Sequence, residues 1–241
     1  DRVKMLERAM AGRKKDGLDF FPTPQAVADE MVEAADIQPG MSVLEPSAGM
    51  GHIADRIRDA GIEPDVVELS GDRRELLEAK GFNVIANNFT ELKAEDLPSG
   101  GYDRIVMNPP FSDRRDAEHV RHAYSLLKPG GRLVAIMGEG VFHGQDKKAQ
   151  EFREWLDSVG GTDEKLPEGT FLDPTLPVNT GVNARMVVIE KETDKGVAMF
   201  SRATPFYSAL SKEVSNIKAN AQSPMGWMAN IKGLVSSGKV K

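Results

Sequence analysis

Four consecutive residues, Asn108-Pro109-Pro110-Phe111, carry the most specific chemistry in this sequence. They follow the apolar run 103–107, which reads as a strand, so the two prolines stop that strand and stiffen the backbone where it ends. A carboxamide held there, beside a main-chain carbonyl, presents two acceptors to a single NH₂ group. That suits a conjugated amine, whose lone pair is delocalised into its ring and which is a weak nucleophile until its hydrogens are drawn aside. Phe111 adds a flat face on which a ring can stack. The plainer alternative is a Pro-Pro turn that merely ends a strand.

A second group would hold a small ligand nearby. The run 42–45 passes into Pro46-Ser47-Ala48-Gly49-Met50-Gly51 and then into a helical pattern. A Gly-rich turn in that place lets a ligand approach the backbone closely. Ala54 stands three residues past Gly51, so the G-x-G-x-x-G dinucleotide pattern is absent, and Glu45 would repel a pyrophosphate. The acid suits instead a ligand with an amino group and a sulfonium; a tight turn without a ligand is the alternative. Glu68 and Leu69 close the next strand, about 20 residues past the turn, where an acid accepts hydrogen bonds from both ribose hydroxyls. Read alone, Glu68 is equally a surface acid at a strand end. Asn87-Asn88-Phe89 follows the third run; an amide there could recognise adenine with Phe89 packed on the ring, and an Asn pair is also ordinary in a turn.

The elements that must position these residues alternate. Apolar runs at 42–45, 65–69, 83–86, 103–107, 132–137 and 185–190 are separated by helical patterns at 51–60, 72–80, 114–127 and 147–158. Such alternation predicts a parallel sheet covered on both faces, with ligands at the carboxyl ends of its strands. Thr23-Pro24 reads as a helix start, Thr as N-cap and Pro in the first position, with Val27, Met31 and Ala34/Ala35 at helical spacing behind it. Residues 1–19 are charged and helix-compatible up to Gly17. The stretches 138–146 and 172–183 read as long loops, and 205–219 and 224–234 as helices.

Composition bounds the rest. The 241 residues are 40% hydrophobic and 28% charged, as in an ordinary globular chain, with no apolar run long enough to span a bilayer and no signal-peptide pattern at Asp1-Arg2-Val3-Lys4. There is no cysteine, which fits a reducing, cytoplasmic setting and excludes any mechanism needing a cysteine nucleophile, activation of cytosine C5 among them. His52, His119, His122 and His143 form no recognisable metal constellation, so no metal is expected. Asp113 and Asp116 are read as opening the helix after the proline turn, Trp155 and Trp227 as packing residues, and Arg13-Lys14-Lys15 as a solvated face. The net charge of −6 is unusual for a free-standing DNA binder, but from Val197 onward six Lys/Arg face one acid, so a basic tail follows an acidic body. That tail contacts phosphate or is a solvated linker. A chain that opens on Asp1 is expected to be a piece of something longer.

Over residues 18 to 191 the sequence resembles the class I S-adenosylmethionine-dependent methyltransferases, and within them the DNA adenine-N6 enzymes. The resemblance rests on Phe20-Phe21-Pro22-Thr23-Pro24, the turn Glu45–Gly51, Glu68, Asn108–Phe111 and Leu166-Pro167-Glu168-Gly169-Thr170-Phe171. The order of these segments is similar to the gamma arrangement. It implies a Rossmann-like sheet of seven strands, mostly parallel with a last antiparallel strand, helices on both faces and a helical C-terminal tail. It implies an N-terminal helical lid over residues 1–38, a methyltransferase domain over 39–191 and a basic tail over 192–241. The implied cofactor is S-adenosylmethionine, with Phe21, Thr23 and Pro24 closing over its methionine end. Glu45, Pro46, Ser47, Ala48, Gly49, Gly51, Glu68, Leu69, Asn88, Phe89 and Asn108 complete the expected cofactor set. Asn108, Pro109, Pro110 and Phe111 are the implied catalytic residues, with Phe111 and Phe171 against an extruded base. The family usually has Asp where Asn88 stands, though an amide oxygen also accepts from an adenine amine. Its large target-recognition domain is missing, so DNA is expected to be held with help from other domains or partners. The segment Met199–Phe206 resembles parts of very large phage and mobile-element proteins. Methylation of protein glutamine or of rRNA guanine-N2, and a non-catalytic module of a larger DNA-processing protein, are the alternatives.

Overall fold

The computed structural model describes residues 1–11, 21–174, 176 and 180–193. Its centre is a seven-stranded sheet built from β1 (Val43–Glu45), β2 (Asp65–Val67), β3 (Asn83–Ala86), β4 (Tyr102–Met107), β5 (Leu127–Gly138), β6 (Thr162–Lys165) and β7 (Ala184–Glu190). The strand order is β3-β2-β1-β4-β5-β7-β6. The pairs from β3 to β5 are parallel, and β7 runs antiparallel to both β5 and β6. The order reverses beside β1, which opens a crevice at the carboxyl ends of β1 and β4.

Successive side chains of a strand leave the sheet on opposite faces, and here both faces are buried. Leu44, Ile105, Met107, Leu133, Ala135 and Met137 join one core; Val43, Val106, Val134 and Ile136 join another. The first core is closed by α5 (Arg115–Ser125) and α7 (Lys147–Ser158) through Ala117, Val120, Phe152 and Leu156. The second is closed by α2 (Gln25–Ala35) and α3 (His52–Asp59) through Val27, Met31, Ile53 and Ile57. Each such large side chain contributes about 1.5–3 kcal/mol when fully buried. A smaller cluster of Ala48, Ala54, Val66, Leu77 and Phe82 seats α4 (Gly71–Ala79) beside the Gly-rich turn. The first helix, α1 (Arg2–Ala11), lies along α4, with ion pairs from Arg2 to Glu75 and from Lys80 to Glu7.

Every strand expected from an apolar run is present. The seventh, β6, is not apolar at all: its four residues, Thr162-Asp163-Glu164-Lys165, are exposed on the sheet's edge. A five-residue helix, α6 (Glu139–His143), occupies part of the expected loop 138–146. The expected capping by Thr23 is replaced by another use of its hydroxyl. Helix α2 starts at Gln25 with Pro24 as its N-cap and no side-chain cap bond. The other end of α2 is locked from β4, where Arg104 donates to the carbonyls of Ala35 (2.6 Å) and Asp36 (3.3 Å). Residues 12–20, with Arg13-Lys14-Lys15, and the tail helices, with Trp227, lie outside the described residues.

Candidate active site

The crevice encloses about 280 Å³ and is lined by three groups of residues. The first is Phe21, Pro22 and Thr23; the second is the turn from Glu45 to Gly49 with His52; the third comprises Glu68, Leu69, Arg73, Asn87–Thr90, Asn108–Pro110, Arg115 and His119. The turn that floors it is built on glycine: Gly49 and Gly51 have φ of 56° and 88°, and a Cβ on Gly51 would stand 3.1 Å from the Leu77 side chain. Any other residue at Gly51 would carry both strain and crowding.

Glu45 ends β1 inside the crevice with 1% of its surface exposed, and its Oε2 has no hydrogen-bond partner among the described residues. Burial holds its carboxyl well above the usual range; a main-chain hydrogen bond from Ala54 acts in the opposite sense. A buried acceptor without a partner favours a cationic donor. The residues present therefore fit the amino and sulfonium charges of S-adenosylmethionine at this end.

The ribose end is less open than expected. The Glu68 carboxylate accepts from Gly49 N–H (2.8 Å), Ser70 N–H (2.8 Å) and Arg73 Nε (2.9 Å). These contacts use three of about four lone-pair directions. Asn88 also departs from expectation. Its amide oxygen accepts from Thr90 N–H (3.2 Å) and Thr90 Oγ1 (2.9 Å), and its Nδ2 donates to Glu91 (2.7 Å), so the side chain closes its own turn rather than reaching for a ring. Leu69 is 57% exposed at the rim, and Phe89 is buried against His119 and His122.

At the end of β4 the Asn108 amide spends both hydrogens on the N-terminal segment. Nδ2 donates to the Phe21 carbonyl and to Thr23 Oγ1, both at 3.0 Å. This fixes the orientation of the amide and leaves Oδ1 as an acceptor. Phe111 stacks on Phe21 (centroids 6.0 Å apart, planes 29° apart) and lies against Gly138 instead of lining the crevice. Phe171 is the clearest correction. It is 2% exposed and belongs to the core with Val27 and Met31, so it offers no face to an extruded base. Pro24 and Gly51, expected at the cofactor, do not line the crevice; they are the N-cap residues of α2 and α3.

Arg73, Thr90, Arg115, His52 and His119 were not expected in the lining. Arg115 and His119 sit four residues apart on α5, one turn past the proline pair, and that spacing alone puts them on one face. Burial, then Arg115 and His122, push the His119 imidazole down to about 4, so it is neutral near pH 7. Asp113 precedes α5 with a left-handed backbone, whereas Asp116 is buried in its first turn. Among the described residues no group of three His, Cys, Asp or Glu side chains could hold a metal ion.

No family model matches the sequence. A tRNA (guanine(6)-N2)-methyltransferase of Thermus thermophilus is 31% identical over 154 residues, which is 56% of this chain and 45% of that protein. The chain thus spans less than half the length of this curated relative. Among solved structures, one described as a modification subunit of a type I restriction enzyme from Vibrio vulnificus superposes with a TM-score of 0.60 at 20% identity, covering 79% of this chain and 48% of that one. The type I restriction enzyme EcoKI M protein gives 0.57 at 19% identity, covering 75% and 46%. A Listeria monocytogenes protein described as a class I S-adenosylmethionine-dependent methyltransferase gives 0.54 at 13% identity, covering 78% and 66%. The strand order, the antiparallel β7 and these likenesses define the class: this is the class I methyltransferase fold.

Proposed function

We propose that the chain transfers the methyl group of S-adenosylmethionine to an exocyclic amine, and that the acceptor is N6 of adenine in DNA. The observation that carries this reading is the Asn108 amide, whose two hydrogens are spent on Phe21 and Thr23 so that its oxygen is the atom left to accept. Pro109 and Pro110 keep the neighbouring carbonyl rigid, so two acceptors draw on one NH₂ and its lone pair is freed. Glu45, the turn Pro46–Gly49, Glu68 and Leu69 would hold S-adenosylmethionine, whose sulfonium would supply the methyl and depart as a neutral thioether, while the proton released by the methylated amine would pass to solvent. The Glu45 carboxylate anchors the cationic end. The walls around Asn108 hold the amine in line, and this orientation is the main catalytic contribution. A base in a duplex has to be flipped out to reach this crevice. The net charge of −6 favours DNA held with the help of other protein surfaces.

A second acceptor is favoured by one comparison. The Thermus relative acts, by its name, on a guanine N2 in tRNA, and a guanine amine would meet the same paired acceptors. Incubating the chain with methyl-labelled cofactor and either unmethylated DNA or unmodified tRNA separates the two, with Asn108→Ala as control. N6-methyladenine in DNA, lost in the variant, is the expected outcome. Label found only on tRNA guanine moves the assignment to the second acceptor. Cofactor binding with transfer to neither refutes amine methylation of nucleic acid.

A further inference from the structure

Asp113 and Arg114, both non-glycine, follow the Asn108–Phe111 segment with left-handed φ values of 55° and 61°. L-residues enter this region singly, and a pair persists only where the surroundings over-determine it. The surroundings here are a glycine strip running from the end of β5 through α6. Phe111 lies on Gly138, where a Cβ would meet the ring at 3.4 Å. The Arg114 guanidinium crosses Gly140 and Gly144: a Cβ on Gly140 would overlap Nη1, and one on Gly144 would stand 2.7 Å from Nη2. Beyond the strip it reaches Asp146, with Nη2 at 2.8 Å and Nε at 3.1 Å, and Asp146 also caps α7 by accepting from Ala149 N–H. In the first turn of α5, the Asp116 carboxylate, 1% exposed, accepts from Gly138 N–H at 3.0 Å. Neither Arg114 nor Asp116 lines the crevice.

We infer that Arg114 and Asp116 are positioning residues: they bolt the 108–114 segment onto the strip 138–146, and so hold Asn108 where its oxygen meets the amine. The activity arm of this inference rests on the proposed methyl transfer; its structural arm does not. In the full chain, Arg114→Ala should speed amide hydrogen exchange at 108–116 selectively. It should lower kcat by about tenfold to a hundredfold while the affinity for S-adenosylhomocysteine stays within about twofold. Arg114→Lys, which keeps the charge without the planar fork, should recover part of kcat. Gly140→Ala should reproduce the loss by displacing the guanidinium, and should add nothing in the Arg114→Ala background, where the overlap is gone. Unchanged exchange at 108–116 in Arg114→Ala, exchange that rises evenly across the chain, or additive effects of the two substitutions would each overturn the inference. A chain without methyl transfer whose exchange still responds selectively would refute the proposed function and leave the bolt standing.

Discussion

The buried acid of the crevice gives the sharpest prediction, because one substitution should move two measurements in opposite directions. Glu45→Gln keeps the shape of the side chain and one oxygen for the Ala54 N–H, and removes the charge. In the free chain, Oε2 is buried without a partner among the described residues, and burial is the largest cause of the raised carboxyl pKa. An unsatisfied buried polar atom costs about 1–3 kcal/mol, and more when charged. The glutamine leaves an N–H in the same place, so only the part due to charge is relieved, on the order of 1 kcal/mol. For a chain of this size that raises Tm by about 2–4 °C. A group whose folded pKa is raised contributes stability that is complete at low pH and lost as pH rises through that pKa, so the gain should be seen near neutrality and shrink in acid. Toward the ligand the sign reverses. A charge-assisted hydrogen bond of about 1.5–3 kcal/mol is lost, weakening S-adenosylmethionine about 10- to 150-fold. Scanning calorimetry of the free chain and titration calorimetry with the ligand read the two effects. A lower Tm together with unchanged affinity would show that Glu45 is an internal structural acid and refute the reasoning.

Two further outcomes are expected. Thr23→Val removes the hydroxyl that holds the Asn108 amide, worth about 1 kcal/mol as a neutral hydrogen bond, so kcat/KM for the amine should fall about fivefold; an unchanged value would mean the Phe21 carbonyl alone orients it. Acid sensitivity should depend on Asp116, which burial raises from 3.8 to about 6, and on His119, lowered from 6.5 to about 4. The Asp116 contribution is complete below its unfolded value and lost as pH rises through 6; the His119 contribution is lost as pH falls from 6.5 toward 4, so the two oppose. Asp116→Asn leaves only the second, and its urea midpoint should fall more steeply than the wild-type midpoint between pH 7 and 4.5. Parallel profiles would count against these shifts.

The fold was legible where packing needs an apolar run on both faces of the sheet. The strands at Val43–Glu45, Tyr102–Met107 and Ala184–Glu190 announce themselves for that reason. Strand β6 does not, because its side chains all meet solvent and only backbone pairing to β7 makes it a strand. Helix α6 is too short for periodicity to show. In the crevice, Glu45, Glu68 and Asn108 were readable because a strand end fixes where such a residue stands. Asn88 stands in the crevice lining as expected, but its amide also closes its own turn, a competition that no spacing rule reports. Phe171 was misread because its burial depends on α2, more than 130 residues away along the chain. Thr23 reads as a cap because the partner of its hydroxyl, Asn108, stands 85 residues away in sequence.

The edge strand β6 has one more consequence. Among the described residues no strand pairs with its outer side, which leaves a row of main-chain donors and acceptors, the kind of template on which copies of a protein polymerise. Here Asp163, Glu164 and Lys165 stand along that rim, with Asp163 tied to Arg185 and Lys165 to Glu168. A second copy adding a strand would have to strip water from these charges, so the rim works as a guard against aggregation in crowded solution.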